Sequence, residues 1–167
     1  TWAGWILDYN NPFVLVAKDE RIDHLTRALT RVGLDGAIGY ITDDYFLDGS
    51  NFSLSTIKEI SAEELNDNLS DYQIIDVRGY SEFKVARIPG AINIHAGELE
   101  LNIKRLNKNK STVVHCESGD RSSIASSFLI NNGFAEVYNL PSGINGWIDS
   151  GFRVERGADS LAQISAA

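Results

Sequence analysis

The feature that most constrains this chain is a rhythm. From about residue 60 onward, strand-sized apolar runs alternate with short helical segments and turn residues. Tyr72 to Val77 is rich in Ile and Val, the mark of a buried strand. Ala91 to Ile94, Thr112 to His115 and Val137 to Leu140 are further short runs of the same kind. Between them stand segments with helical signals. Ser61 with Glu64 three residues on forms a capping-box pattern before Ala62 to Leu69. Ser81 to Ala86, Leu99 to Leu106 and Ile144 to Asp149 complete the set with Arg121 to Asn131, which is stopped by Gly133. Alternating β and α units of this length predict an α/β fold, an open parallel sheet with helices on both faces.

The first residues show the same grammar once, with a strand over Phe13 to Ala17, a helix over Arg21 to Arg31 stopped at Gly33, and a strand over Ala37 to Ile41. Phe13-Val14, Leu29, Gly33-Leu34 and Ala37-Ile38 match Val113-Val114, Leu129, Gly133-Phe134 and Val137-Tyr138 at a constant offset of 100 residues. A domain-sized period reads as a partial, degenerate copy of the domain, and it has Val16 where the later copy has Cys116. The expected organisation is therefore 1–41 as the C-terminal half of an inactive repeat and 42–55 as a linker. The active domain follows over 56–156, with a small, polar tail over 157–167.

Composition excludes several classes. The net charge of −8 and pI near 4.8 argue against a general nucleic-acid or anionic-membrane binder. Lys104, Arg105, Lys108 and Lys110 form only a modest cluster, best read as a solvated face. No stretch approaches the roughly 18–20 apolar residues of a membrane span. The start lacks a signal peptide's basic region and cleavage site. It also lacks Met, as a processed product or a fragment would. A single cysteine rules out an internal disulfide or a cysteine-rich zinc site. His24 and His95 have no ligand partners in spacing, so neither metal nor cofactor is expected. A reactive unpaired thiol fits a cytoplasmic setting.

That cysteine lies in Thr112-Val113-Val114-His115-Cys116-Glu117-Ser118-Gly119-Asp120-Arg121-Ser122, directly after a buried strand and at the start of a helix. Inward backbone N–H groups and the helix N-terminus both favour a thiolate there. Gly119 allows the tight twist, and Arg121 can close the loop by hydrogen bonding while staying charged. Ser122 and Ser123 are placed to cap and line the helix start. His115, on the strand, is expected to face away into the core. Four residues separate Cys116 from Arg121. Cysteine-dependent phosphatases resemble this arrangement but place one residue more between the two. The shorter loop suits the terminal sulfur of a persulfide better than a phosphate.

Cys116 to Ser122 resembles the C-x-x-G-x-R-S loop of single-domain rhodaneses. Ile75-Asp76-Val77-Arg78, Glu82-Phe83 and Ile88-Pro89-Gly90-Ala91-Ile92-Asn93-Ile94 resemble that family's other signature. Gly133-Phe134, Val137, Asn139-Leu140, Gly143, Trp147 and Gly151-Phe152 are similar to its C-terminal third. The resemblance covers about residues 57 to 156. It implies a sulfurtransferase in which Cys116 takes sulfane sulfur from thiosulfate or a thiol persulfide and passes it to a thiophilic acceptor. The loop N–H groups from Glu117 through Ser118, Gly119 and Asp120 to Ser122 would hold the persulfide, and Asp76 and Arg78 would support the loop. Ala86-Arg87, His95 and Ser142 depart from the usual pattern without touching the nucleophile. Glu117 and Asp120 place two acids in the loop, which disfavours a dianionic donor such as thiosulfate. Rival readings are a non-catalytic binding module and a small phosphatase or arsenate reductase.

Trp2 to Trp5, Leu7 to Tyr9, Pro12 to Val16 and Arg31 to Asp35 resemble the inactive middle region of metallo-β-lactamase–rhodanese fusion proteins. This implies an upstream metallo-β-lactamase-type domain absent from this chain. Otherwise, the half-domain is expected to dock or self-associate.

Overall fold

The computed structural model describes residues 2–48 and 55–157, and these fall into two compact units divided between Thr56 and Ile57.

The second unit is a five-stranded, all-parallel sheet. Its strands are β3 (Lys58–Glu59), β4 (Gln73–Asp76), β5 (Ile92–Asn93), β6 (Thr112–His115) and β7 (Val137–Asn139), in the order β3-β7-β6-β4-β5. Its helices are α4 (Ala62–Asp67), α5 (Tyr80–Val85), α6 (Leu99–Asn102), α7 (Asp120–Asn131) and α8 (Gly143–Asp149). Side chains alternate across the central strands and so feed two cores. Ile74 and Val113 pack with Leu65, Phe83, Ile144 and Trp147, from α4, α5 and α8. Ile75 and Val114 pack on the other face with Leu99, Ala125 and Leu129, from α6 and α7. Cys116 follows Val114 by two residues and belongs to this second core.

Local signals account for most of the element ends. The Ser61 hydroxyl accepts the Glu64 N–H and starts α4. The helix is shorter than expected and is followed by a 3-10 turn over Leu69–Asp71. Likewise, only Leu99–Asn102 of the expected longer helix is α, and Ile103–Arg105 continues as a 3-10 turn. β3 is unmarked in the sequence because its two residues, both exposed, carry no apolar run.

The first unit contains α1 (Ala3–Ile6), β1 (Phe13–Val16), α2 (Asp19–Thr30), β2 (Ala37–Ile41) and α3 (Asp43–Leu47). β1 and β2 pair in parallel. The 100-residue offset reappears as geometry. Val14 pairs with Gly39 as Val114 pairs with Asn139. Gly33 and Gly133 have φ of 84° and 83°, and the following N–H, of Leu34 or Phe134, returns to the carbonyl of Leu29 or Leu129. In the second unit β6 is flanked on its other side by β4. In the first, β1 pairs with β2 alone among the described residues, and Val14 is 45% exposed where Val114 is fully buried. The expected linker, 42–55, contains α3. Residues 49–54, and the tail from 158 on, lie outside the described residues.

Candidate active site

The site is built where β6 ends. All four residues of β6 are buried, so the chain leaves the sheet from a fixed point with Cys116 beneath the loop, 1% exposed. Glu117 and Ser118 are exposed, and Gly119 turns the chain at φ 93° into α7, which begins at Asp120. A Cβ on Gly119 would overlap the carbonyl of Pro141. The start of α8 braces the loop from behind. The N–H groups of Ile144 and Asn145 donate to the carbonyl oxygens of Cys116 (2.9 Å) and Glu117 (3.2 Å). This approach requires Gly143, φ 58°, since a Cβ there would collide with the Glu117 carbonyl.

With those carbonyls held outward, the loop N–H groups turn toward sulfur. Burial, the largest single influence, pushes the Cys116 thiol up. Hydrogen bonds from the Ser122 hydroxyl and from the N–H groups of Ser122, Ser118 and Gly119 outweigh it, leaving the thiol below its ordinary value. The Ser122 hydroxyl lies 3.5 Å from Cys116 Sγ and 3.0 Å from the Gly119 carbonyl, and its one hydrogen serves either. The expectation that Ser122 and Ser123 cap the helix is corrected: the cap position is Gly119, with no side-chain cap bond, and fully buried Ser122 faces the sulfur instead.

Arg121 closes the loop differently from a guanidinium folded over the sulfur. Its Nη1 and Nη2 donate to Glu82 Oε2 (3.1 Å) and Oε1 (3.0 Å) on α5, and Glu117 Oε2 is 3.7 Å away. Glu82 also accepts the Gly79 N–H at 2.9 Å, so one carboxylate starts α5 and anchors Arg121. The Arg121 bond, followed by burial in the opposite sense, sets its carboxyl below the usual range. Glu82 carries no site signal in the bare spacing, because its partner is 39 residues away.

Behind the loop lies a buried polar group. Asp76 and Arg78 form an ion pair (Nη2 to Oδ2, 2.6 Å), and Arg78 Nη2 also donates to the Ala86 carbonyl at 2.7 Å. Asn93 ties the strand ends by donating to the carbonyls of Asp76 and Arg78. The His115 side chain is fully buried, with Nε2 3.6 Å from Asp76 Oδ2 and Nδ1 3.2 Å from the Cys116 carbonyl. Burial holds its imidazole below the ordinary value despite the nearby Asp76 carboxylate. Asp76, Arg78 and His115 thus sit under the exit of β6, while Glu117, Ser118, Asp120 and Arg121 form the rim.

Among the described residues, no group of three or more His, Cys, Asp and Glu side chains could hold a metal ion, and no helix is long and apolar enough to cross a membrane.

A Bacillus subtilis protein, named as a candidate sulfur carrier, is 36% identical over 101 residues, covering 59% of this chain; the chain spans 55% of that protein's length. A sulfurtransferase of Allochromatium vinosum is 29% identical over 101 residues, covering 59% of this chain and 94% of that protein. The crystal structure of a rhodanese-related protein from Thermoplasma volcanium superposes with a TM-score of 0.56 at 34% identity, over 59% of this chain and 97% of that one. Residues 61–150, more than half of the chain, match the rhodanese-like domain. With the parallel sheet and the loop between β6 and α7, this match establishes that the chain belongs to the rhodanese-like domain family.

Proposed function

We propose that this protein is a sulfurtransferase working through a Cys116 persulfide. The observation that carries the reading is the cradle itself: a buried cysteine with a lowered pKa, facing three backbone N–H groups and the Ser122 hydroxyl. In the first half-reaction the Cys116 thiolate attacks the outer sulfur of a donor. From thiosulfate, the bond between sulfane sulfur and the sulfonate breaks and sulfite leaves; from a thiol persulfide, the thiolate leaves. The product, Cys116–S–S⁻, is held by the loop N–H groups. In the second, a thiolate or other thiophilic acceptor attacks the outer sulfur and the Cys116 thiolate is regenerated. The sulfur-carrier and sulfurtransferase names of the two relatives agree with this direction of chemistry.

The donor class follows from charge. Glu117 and Asp120 are exposed on the rim and disfavour a dianion, so a thiol persulfide is the preferred donor over thiosulfate. An assay with cyanide as acceptor tests the reading: thiocyanate forms from either donor, faster from glutathione persulfide, and a phosphate ester is not hydrolysed. Phosphate-ester hydrolysis without thiocyanate would install the phosphatase reading instead, and inertness in both assays the binding-module one. A reactive unpaired thiol suits the cytoplasm, where reductants keep it reduced.

A second observation concerns the first unit. Its strand–helix–strand repeats the geometry around β6, α7 and β7 but has Val16 in place of Cys116. We assign it as a non-catalytic half-copy. Its missing half would come from an upstream segment, with a metallo-β-lactamase-type domain beyond, or from self-association.

A further inference from the structure

Arg121 is the only arginine or lysine in the loop from Cys116 to Ser122, and it is already engaged. Glu82 binds it through both carboxylate oxygens at 3.0 and 3.1 Å, in the fork geometry that makes arginine–carboxylate pairs strong and directional. Two carboxylates, Glu82 and Glu117, therefore stand against one guanidinium, the second at 3.7 Å. Each donor N–H spent on Glu82 is unavailable to an incoming anion. A dianionic donor has to displace a bidentate carboxylate or enter without the guanidinium. The reacting end of a thiol persulfide carries one charge rather than two, and its outer sulfur is received by the loop N–H groups, so it needs the guanidinium far less.

Building on the sulfurtransferase reading, we propose that Glu82, on α5 outside the cysteine loop, is a specificity-determining residue that withholds Arg121 from dianionic donors and so selects thiol persulfides over thiosulfate. The role is positional, since Glu82 acts through Arg121.

The experiment compares thiosulfate and glutathione persulfide as donors for the full chain, with cyanide as acceptor, in the wild type and the Glu82→Gln variant. Gln keeps an oxygen for the Gly79 N–H but loses the charged, two-oxygen hold on Arg121. The expected result is a thiosulfate KM about tenfold lower, equivalent to about 1.4 kcal/mol, with kcat and the persulfide kinetics little changed. A merely structural role for Glu82 would weaken both donors together and contradict the proposal. Asp120→Asn is the comparison, because it removes a rim charge that also repels a dianion but forms no ion pair with Arg121 among the described residues. It should shift the thiosulfate KM much less, and an equal shift would mean that rim charge alone governs the choice. Glu82→Asp, which keeps the charge but withdraws it by one methylene, carries the same expectation if Glu82→Gln does not fold. Wild-type protein that turns over neither donor would overturn the sulfurtransferase reading itself. A wild type active on persulfide whose donor ratio is untouched by Glu82→Gln would overturn this inference alone.

Discussion

At the scale of residues, the chemistry reduces to whether a buried sulfur can hold negative charge. Burial works against it, and the hydrogen bonds of Ser122, Ser118 and Gly119 work for it. The thiolate therefore persists at pH values below the ordinary thiol range, and is lost only as pH falls through the lowered value. Alkylation by iodoacetamide, followed against pH, should show its midpoint below that of a free cysteine. Ser122→Ala removes the hydroxyl donor, so its midpoint should move up and its rate at neutral pH fall. An unchanged midpoint would assign the shift to the backbone N–H groups alone. The arrangement of Cys116, Gly119 and Arg121 between β6 and α7 was legible in the sequence because their spacing is local. Glu82 was visible only as part of a motif, and the true partners of Ser122 were hidden, because both depend on how α5 and the loop meet in space.

Among the elements, the loop is held by a helix that follows it by some twenty residues. α8 presents Ile144 and Asn145 N–H groups to the loop carbonyls, and Gly119 and Gly143 permit the close approach to Pro141 and Glu117. Gly119→Ala should destabilise the protein by about 2 kcal/mol or more, through positive φ and overlap together, seen as a lowered Tm. A Tm equal to the wild type's would show that the loop yields at no cost. The strand pattern was readable because central strands of a parallel sheet are apolar throughout, as Thr112–His115 illustrates. β3 and the 3-10 ends of the α4 and α6 segments were not, since two exposed residues, Lys58 and Glu59, carry no periodicity, and helix ends are set by packing.

For the whole molecule, the chain falls into two units. The second contains all of the sheet around Cys116 and both of its cores, so residues 57–157 produced alone should fold and transfer sulfur at a rate close to that of the full chain. A soluble but inactive product would show that the first unit contributes to the site. The 100-residue correspondence was legible because it preserves the Gly33 and Gly133 turns. Its meaning was less so, because Val14 and Val16 stay exposed where their counterparts are buried.

The central claim is that sulfur resides on Cys116, and intact mass reads it directly. After incubation with glutathione persulfide, and separately with thiosulfate, the wild type should gain the mass of one sulfur atom, removable by cyanide or a thiol. Cys116→Ser should gain none. A wild type that stays at its starting mass with both donors, or a serine variant that loads as the wild type does, would contradict the account.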